Sequence, residues 1–184
     1  MKILGIVVVV LVVIVAAVLT FALTLPAEFS AQDNALISAP PESLYARFAT
    51  PRTWARWSAW TTRSDPTLAY TYSGPDSGLG ATMHWTSQKL GSGQLQIVEA
   101  VPGRLVHYEL HFMTSPAPIV GRVRLEPKAG GTEVTWSDQG SLGGNVVMRL
   151  MYPLMKTMMR KAYQESFANL RAETHDGTVA QPKP

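Results

Sequence analysis

Residues 144–174 read GNVVMRLMYPLMKTMMRKAYQESFANLRAET. Val147, Leu150, Met151, Leu154, Met155, Met158, Met159, Ala162, Tyr163, Phe167 and Leu170 return every three or four positions. Arg149, Lys156, Arg160, Lys161 and Arg171 fall mostly between them, which is the pattern of an α-helix with one apolar face. Pro153 cannot donate the bond to the Arg149 carbonyl, so a short lead-in over 142–151 is expected, then a main helix from Tyr152 or Pro153 to Ala172. A helix this long needs an apolar surface to lie against. Residues 29–139 have the shorter period of strands, which predicts one sheet wrapped around one long C-terminal helix.

Working back from that helix, residues 28–38 read as a first strand stopped by Pro40 and Pro41. Pro41-Glu42-Ser43 opens a short helix carrying Leu44, Tyr45 and Phe48, since proline is tolerated in a first turn. Thr50-Pro51 breaks it, and 52–60 follows as a second short helix or a tight loop. Further strands are expected over 68–72, 79–88, 94–100, 105–113, 119–126 and 132–138, separated by turn residues such as Ser73-Gly74-Pro75-Asp76-Ser77-Gly78 and Gly91-Ser92-Gly93. The clearest alternation puts Val106, Tyr108, Leu110 and Phe112 toward the helix and His107, Glu109 and His111 toward solvent. By the same rule Ala81, Met83 and Trp85 share a face, and Val134 and Trp136 point inward. Trp54, Trp57 and Trp60 recur at intervals of three. On one continuous helix that spacing drifts, so the three cannot share a buried spot. Trp54 and Trp57 are expected to pack the helical pair onto the sheet, and Trp57 or Trp60 is a candidate for a pocket mouth or a lipid contact.

Of the 184 residues, about 140 lie between the apolar N-terminus and a polar tail, enough for a single domain with its own core. Cysteine is absent, which excludes a disulfide framework and thiol chemistry. Residues 3–25 carry no charge and are long enough to cross a bilayer. They exceed the usual ~7–15-residue core of a signal peptide and lead to no clear cleavage site, so a retained anchor is expected. The division is then 1–27 as a transmembrane anchor, 28–174 as the globular domain and 175–184 as a flexible tail. Lys2 precedes the span and the first basic residue beyond it is Arg47, which predicts a single-pass protein with a cytoplasmic N-terminus and an extracytoplasmic domain. The formal charge is +3 without a block of basic residues, and Arg47, Arg52, Arg56 and Arg63 read as an ordinary rim, so no nucleic-acid partner is expected.

Chemistry-bearing residues are few. His107, Glu109 and His111 have metal-ligand side chains, but neighbours on one face of a strand lie nearly 7 Å apart, too far for easy coordination of one ion. Ser137, Asp138 and His84 make a hydrolytic triad only on paper, with no nucleophile elbow around them. There is no P-loop, dinucleotide-binding glycine pattern, H-E-x-x-H or C-x-x-C. Neither a catalytic set nor a cofactor or metal is expected. The inward polar groups are Tyr70 or Tyr72, Tyr108, Tyr163 and the indoles. A pocket lined this way would hold an apolar ligand and orient it with a few hydroxyl or N–H contacts.

The order of elements resembles the helix-grip fold of the START-like (SRPBCC) superfamily, specifically its polyketide cyclase/dehydrase and lipid-transport group. The resemblance covers residues 29–174. It is carried by 37–45 (ISAPPESLY), Trp54-x-x-Trp57, Gly78-x-Gly80-Ala81 before Trp85, Pro102-Gly103 leading to Val106-x-Tyr108, 130–136 (GGTEVTW) and the amphipathic end. It implies an α+β domain in which a curved antiparallel sheet of six or seven strands grips the C-terminal helix around a hydrophobic cavity. Tyr72, Met83, Trp85, Tyr108, Leu110, Phe112, Trp136, Met155, Met159 and Tyr163 would then be ligand-binding, with Leu95 and Ile97 also in the wall. The implied partner is a hydrophobic small molecule or lipid, and the anchor at 3–25 favours one taken from or presented near the membrane. Two alternatives are a cyclase/dehydrase-type enzyme on a hydrophobic substrate, and an interaction domain with a closed core.

Overall fold

The computed structural model describes residues 2–89, 91–113, 115 and 117–175. The chain begins with the helix α1 (Lys2–Thr24), followed by β1 (Glu28–Ile37) and two short helices, α2 (Pro41–Phe48) and α3 (Pro51–Trp57). The strands β2 (Ala69–Ser73), β3 (Thr82–Thr86), β4 (Gly93–Val101), β5 (Leu105–Phe112), β6 (Ile119–Lys128) and β7 (Gly131–Ser141) come next, and α4 (Val146–His175) closes the order. All seven strands form one curved antiparallel sheet in the order β1-β7-β6-β5-β4-β3-β2. A first strand that pairs with the last brings α4, directly after β7, back along β1. Tyr152 of α4 bonds Ser30 of β1, Gln164 bonds Asp33, and Arg171 bonds the Leu36 carbonyl. The helix therefore ascends beside the strand. The tail expected over 175–184 lies outside the described residues from 176 onward.

Alternation along the strands decides which face is apolar. Phe29, Ala31, Ala35 and Ile37 of β1, Val123 and Leu125 of β6, and Val134 and Trp136 of β7 are buried on the inner face. Pro41 and Pro51 each open a helix at its first position, where a missing N–H costs nothing. They fold α2 and α3 over the inner face, so that Leu44, Phe48, Trp54 and Trp57 are buried there.

Three expectations change. First, α4 runs without interruption from Val146 through Pro153, where a lead-in and a separate main helix were expected. Its start is fixed by Asn145, whose side-chain oxygen accepts from the Met148 N–H at 3.1 Å, and one lost bond at Pro153 does not break a helix held along β1. Second, α3 stops at Trp57, with Ser58 already extended. The bend lets Trp54, Trp57 and Trp60 all approach the Trp136 ring, at 5.6, 5.8 and 6.1 Å between centroids, which a continuous helix would have forbidden. Third, His107 is not a free solvent residue. Its side chain is 19% exposed, with Nδ1 3.6 Å from a Glu99 carboxylate oxygen and Nε2 buried. Its cross-strand neighbours are Glu99 on β4 and Arg122 on β6.

α1 is, among the described residues, the one helix long and apolar enough to cross a membrane, over Ile3–Thr24. Almost all of its large side chains are exposed, whereas Ala22 near its end is buried.

Candidate functional site

Strand register turns the inner face into rows. At one end of the sheet Tyr70, Trp85, Gly93 and Phe112 are cross-strand neighbours, and the next row is Tyr72, Met83, Leu95, Leu110 and Ile119. A third row runs Ile97, Tyr108, Gly121, Asp138 and Ala31, and a fourth holds Val106, Val123 and Trp136. The first two rows lie at the end of the sheet where α1 enters, because Ser141 pairs with Glu28 and Gln139 with Val120 at that same end.

The inner rows are filled. Trp136 is fully buried and meets Phe48, Tyr163 and Phe167 at 5.5, 5.0 and 6.1 Å, besides the three tryptophans. Trp54 stands edge-on to Tyr108 at 5.3 Å and donates its indole N–H to the Phe48 carbonyl at 3.0 Å. The Tyr108 ring lies over Gly121, where any Cβ would overlap it, so this glycine is what lets the tyrosine lie flat on the sheet.

Within this packed layer sits a polar network. Tyr108 donates its hydroxyl to Asp138 Oδ1 at 2.8 Å and accepts from the Trp136 indole N–H at 2.7 Å, while Tyr163 donates to Asp138 Oδ2 at 2.5 Å. Burial pushes the Asp138 carboxyl up to about 6, and the hydroxyls of Tyr163 and Tyr108 act against that rise. Burial and the adjacent carboxylate also raise both tyrosines well above the ordinary phenol range. The network holds one proton-exchangeable group near neutrality, bounded by donors that stay protonated.

The outer rows are less fully covered: Trp85, Met83 and Leu95 stay buried, and partial exposure falls on the residues around them. Tyr72, Leu110 and Phe112 are half-buried, and so are Met155 and Met159 on the part of α4 nearest that end. Phe112 packs edge-on to Trp85 at 5.2 Å. Tyr72 lies toward the β2 edge with the Arg52 guanidinium 4.5 Å over its ring, and the hollow beside it holds about 10 Å³, room for a water and no more. Tyr70 donates its hydroxyl to the Trp60 carbonyl at 2.8 Å.

The ten residues named from the sequence thus fall into two sets. Met83, Trp85, Tyr108, Trp136 and Tyr163 are buried, the last three in the aromatic and polar layer. Tyr72, Leu110, Phe112, Met155 and Met159 are half-buried, all but Met155 packed against the core. Trp57 is wholly buried and Trp60 half-buried against the core, so neither stands as an exposed contact. The paper triad is dispersed: His84 Nε2 lies 2.9 Å from Ser73, and Ser137 occupies the opposite face of β7 from Asp138. Asp138 is the residue that the sequence reading passed over as an inward group. Its signal was present, since Val134, Trp136 and Asp138 keep a strict alternation.

Comparison with known proteins follows the same lines. Residues 28–174 match the profile of a family described as polyketide cyclase / dehydrase and lipid transport. No curated protein matches the chain. Among solved structures, a protein from Chromobacterium violaceum is 19% identical, with 78% of this chain and 94% of that one covered and a TM-score of 0.56. A Rhodobacter sphaeroides protein is 15% identical over 80% and 92%, with a TM-score of 0.56. A Staphylococcus aureus protein is 13% identical over 80% and 96%, with a TM-score of 0.59. At such identities the likeness is one of fold.

Proposed function

The chain belongs to the polyketide cyclase / dehydrase and lipid transport family, a hydrophobic-ligand or lipid-binding module of the helix-grip type, and from that premise we infer that it is held at a membrane by α1 and takes its ligand at the anchor end of the grip. The observation that carries this reading is the gradient along the inner face. The sheet is sealed by aromatic rings around Trp136, and toward the α1 end Leu110, Phe112, Met155 and Met159 are only half-buried. A ligand seated there would lie between the first two rows and α4, its apolar part on Met83, Trp85 and Phe112 and its innermost atoms toward the Tyr108 layer. Thioether side chains suit such a wall, because they repack around different shapes. Apolar contact supplies the affinity, at roughly 25 cal/mol per Å² removed from water. The tyrosine and indole groups supply orientation. With α1 across a bilayer and Lys2 inside, the domain stands on the extracytoplasmic side and its half-buried end faces the lipid.

The test is native mass spectrometry of the full chain released from detergent, with lipid extraction in parallel. The wild type is expected to carry an apolar molecule, and Leu110→Glu to lose at least nine-tenths of it while still melting cooperatively. A chain that retains nothing and takes up no fatty acid or phospholipid would defeat the reading. A cyclase-type reaction is the second reading, favoured by the Asp138 carboxyl near neutrality beneath two hydroxyls. It predicts that added substrate returns chemically altered from the wild type and unaltered from Asp138→Asn.

A further inference from the structure

Val147, Met151, Leu154 and Met158 of α4 are exposed to 66, 43, 52 and 62%. Their spacing of four, three and four residues puts them on one stripe, which at ~1.5 Å per residue is about 17 Å long. Apolar residues scattered singly on a surface need no account, but an aligned stripe does. The same segment carries Arg149, Lys156, Arg160 and Lys161 and has no acidic residue before Glu165. At 100° per residue Arg149, Lys156 and Arg160 fall on the side of the helix away from the stripe and Lys161 beside it. An apolar face backed by cations alone is the composition of a helix that lies in a membrane interface.

Its position agrees with its composition. The Arg149 guanidinium reaches the carbonyls of Leu23 and Leu25 at 3.5 and 3.4 Å, where α1 ends, while donating to the Gly143 carbonyl at 2.6 Å. The Leu142 N–H donates to the Ala27 carbonyl at 2.7 Å, and α1 and α4 are in contact. The stripe therefore begins beside the point at which a 22-residue apolar helix runs out. The β5–β6 connection, with Met113 83% exposed, leaves the sheet at this same end, since Leu110 pairs with Ile119.

We propose that the first four turns of α4 lie in the acyl–headgroup boundary of the bilayer that α1 enters, the stripe turned to the acyl chains and Lys156 and Arg160, on the far side of the helix, reaching into a layer of anionic headgroups. The occupant of this surface is bilayer lipid, argued from its continuity with α1 and from its charge. The proposal rests on α1 crossing that bilayer, as inferred above. It adds that the half-buried end of the grip, at Met155 and Met159 on the same turns, meets lipid directly, so that an apolar ligand passes between bilayer and protein without entering water.

The chain contains no cysteine, so single cysteines can report depth without background. The full chain is reconstituted in vesicles of phosphatidylcholine and phosphatidylglycerol. An environment-sensitive fluorophore is attached at Met151→Cys, Leu154→Cys or Met158→Cys, with Val10→Cys as the α1 reference and Arg124→Cys as the solvent reference. Spin-labelled lipids bearing shallow or deep quenchers are then compared. The three α4 positions are expected to be quenched by the shallow lipid about threefold more than position 124, with position 10 quenched by the deep one. Quenching at all three α4 positions equal to that at 124, with position 10 still quenched, would overturn the proposal and leave the anchor standing. An unquenched position 10 would overturn both. Blue-shifted but unquenched labels on α4 would assign the stripe to a protein partner or a second copy, and also overturn it.

Discussion

Asp138 carries its two oxygens under the hydroxyls of Tyr108 and Tyr163, out of contact with water. Burial pushes its carboxyl in the folded chain up to about 6, from the 3.8 of an ordinary aspartate. Between those values the folded state binds the additional proton, so this group's contribution to stability is largest in acid and falls as pH rises from about 4 to about 6. The full difference is on the order of 3 kcal/mol. In Asp138→Asn one amide oxygen still accepts from Tyr108, and the amide N–H₂ can donate to the Tyr163 hydroxyl, so the shape survives while the titration disappears. Thermal melting between pH 4 and 7 should therefore show a smaller fall in melting temperature for Asp138→Asn than for the wild type. Parallel curves for the two proteins would mean that the carboxyl is ionised throughout. The inward direction of Asp138 was legible in the alternation of β7, but its partners were not, because Tyr108 and Tyr163 lie 30 and 25 residues away and meet it only when β5 and α4 close on β7.

α4 illustrates how an element differs from its pattern. The three-to-four period of its apolar residues announces the helix, and the period is the same on both sides of Pro153. At 100° per residue, however, these positions do not all point the same way, and the exposed ones turn away from the side that packs on the sheet. Tyr163, Phe167 and Leu170 are buried against the aromatic layer, whereas Val147, Leu154 and Met158 are exposed. A periodic face states that something apolar covers it, and does not state what. Pro153 sits within the helix, at the cost of the bond to the Arg149 carbonyl. Pro153→Ala restores that bond without removing any contact on the packed side, and is expected to stabilise the protein by about 1–3 kcal/mol. Chemical denaturation of the full chain in micelles measures this. A destabilised variant would mean that the proline ring holds a contact of its own.

Across the whole molecule, packing falls off from the ring cluster to the end where α1 enters. Opening free energies follow packing, so amide hydrogens around Tyr108, Val123 and Trp136 are expected to exchange slowest, and those of residues 110–112 and 119–120 faster by an order of magnitude or more. Equal protection along β5 and β6, read by hydrogen exchange with mass spectrometry, would contradict a less fully covered end. The sequence by itself determined the order of elements, an antiparallel sheet of six or seven strands around a C-terminal helix, inward residues on β3, β4, β5 and β7, and the apolar span at the N-terminus. These follow from local periodicity and turn chemistry, which depend on residues close in the chain. Only the tertiary structure decided which inward residues seal the core and which stay half-buried, that Trp60 joins Trp54 and Trp57 on one ring, and that Asp138 is shared by two tyrosines. Burial on a given row depends on what α2, α3 and α4 lay over it, and that is fixed by contacts between residues far apart in sequence, to which periodicity is blind.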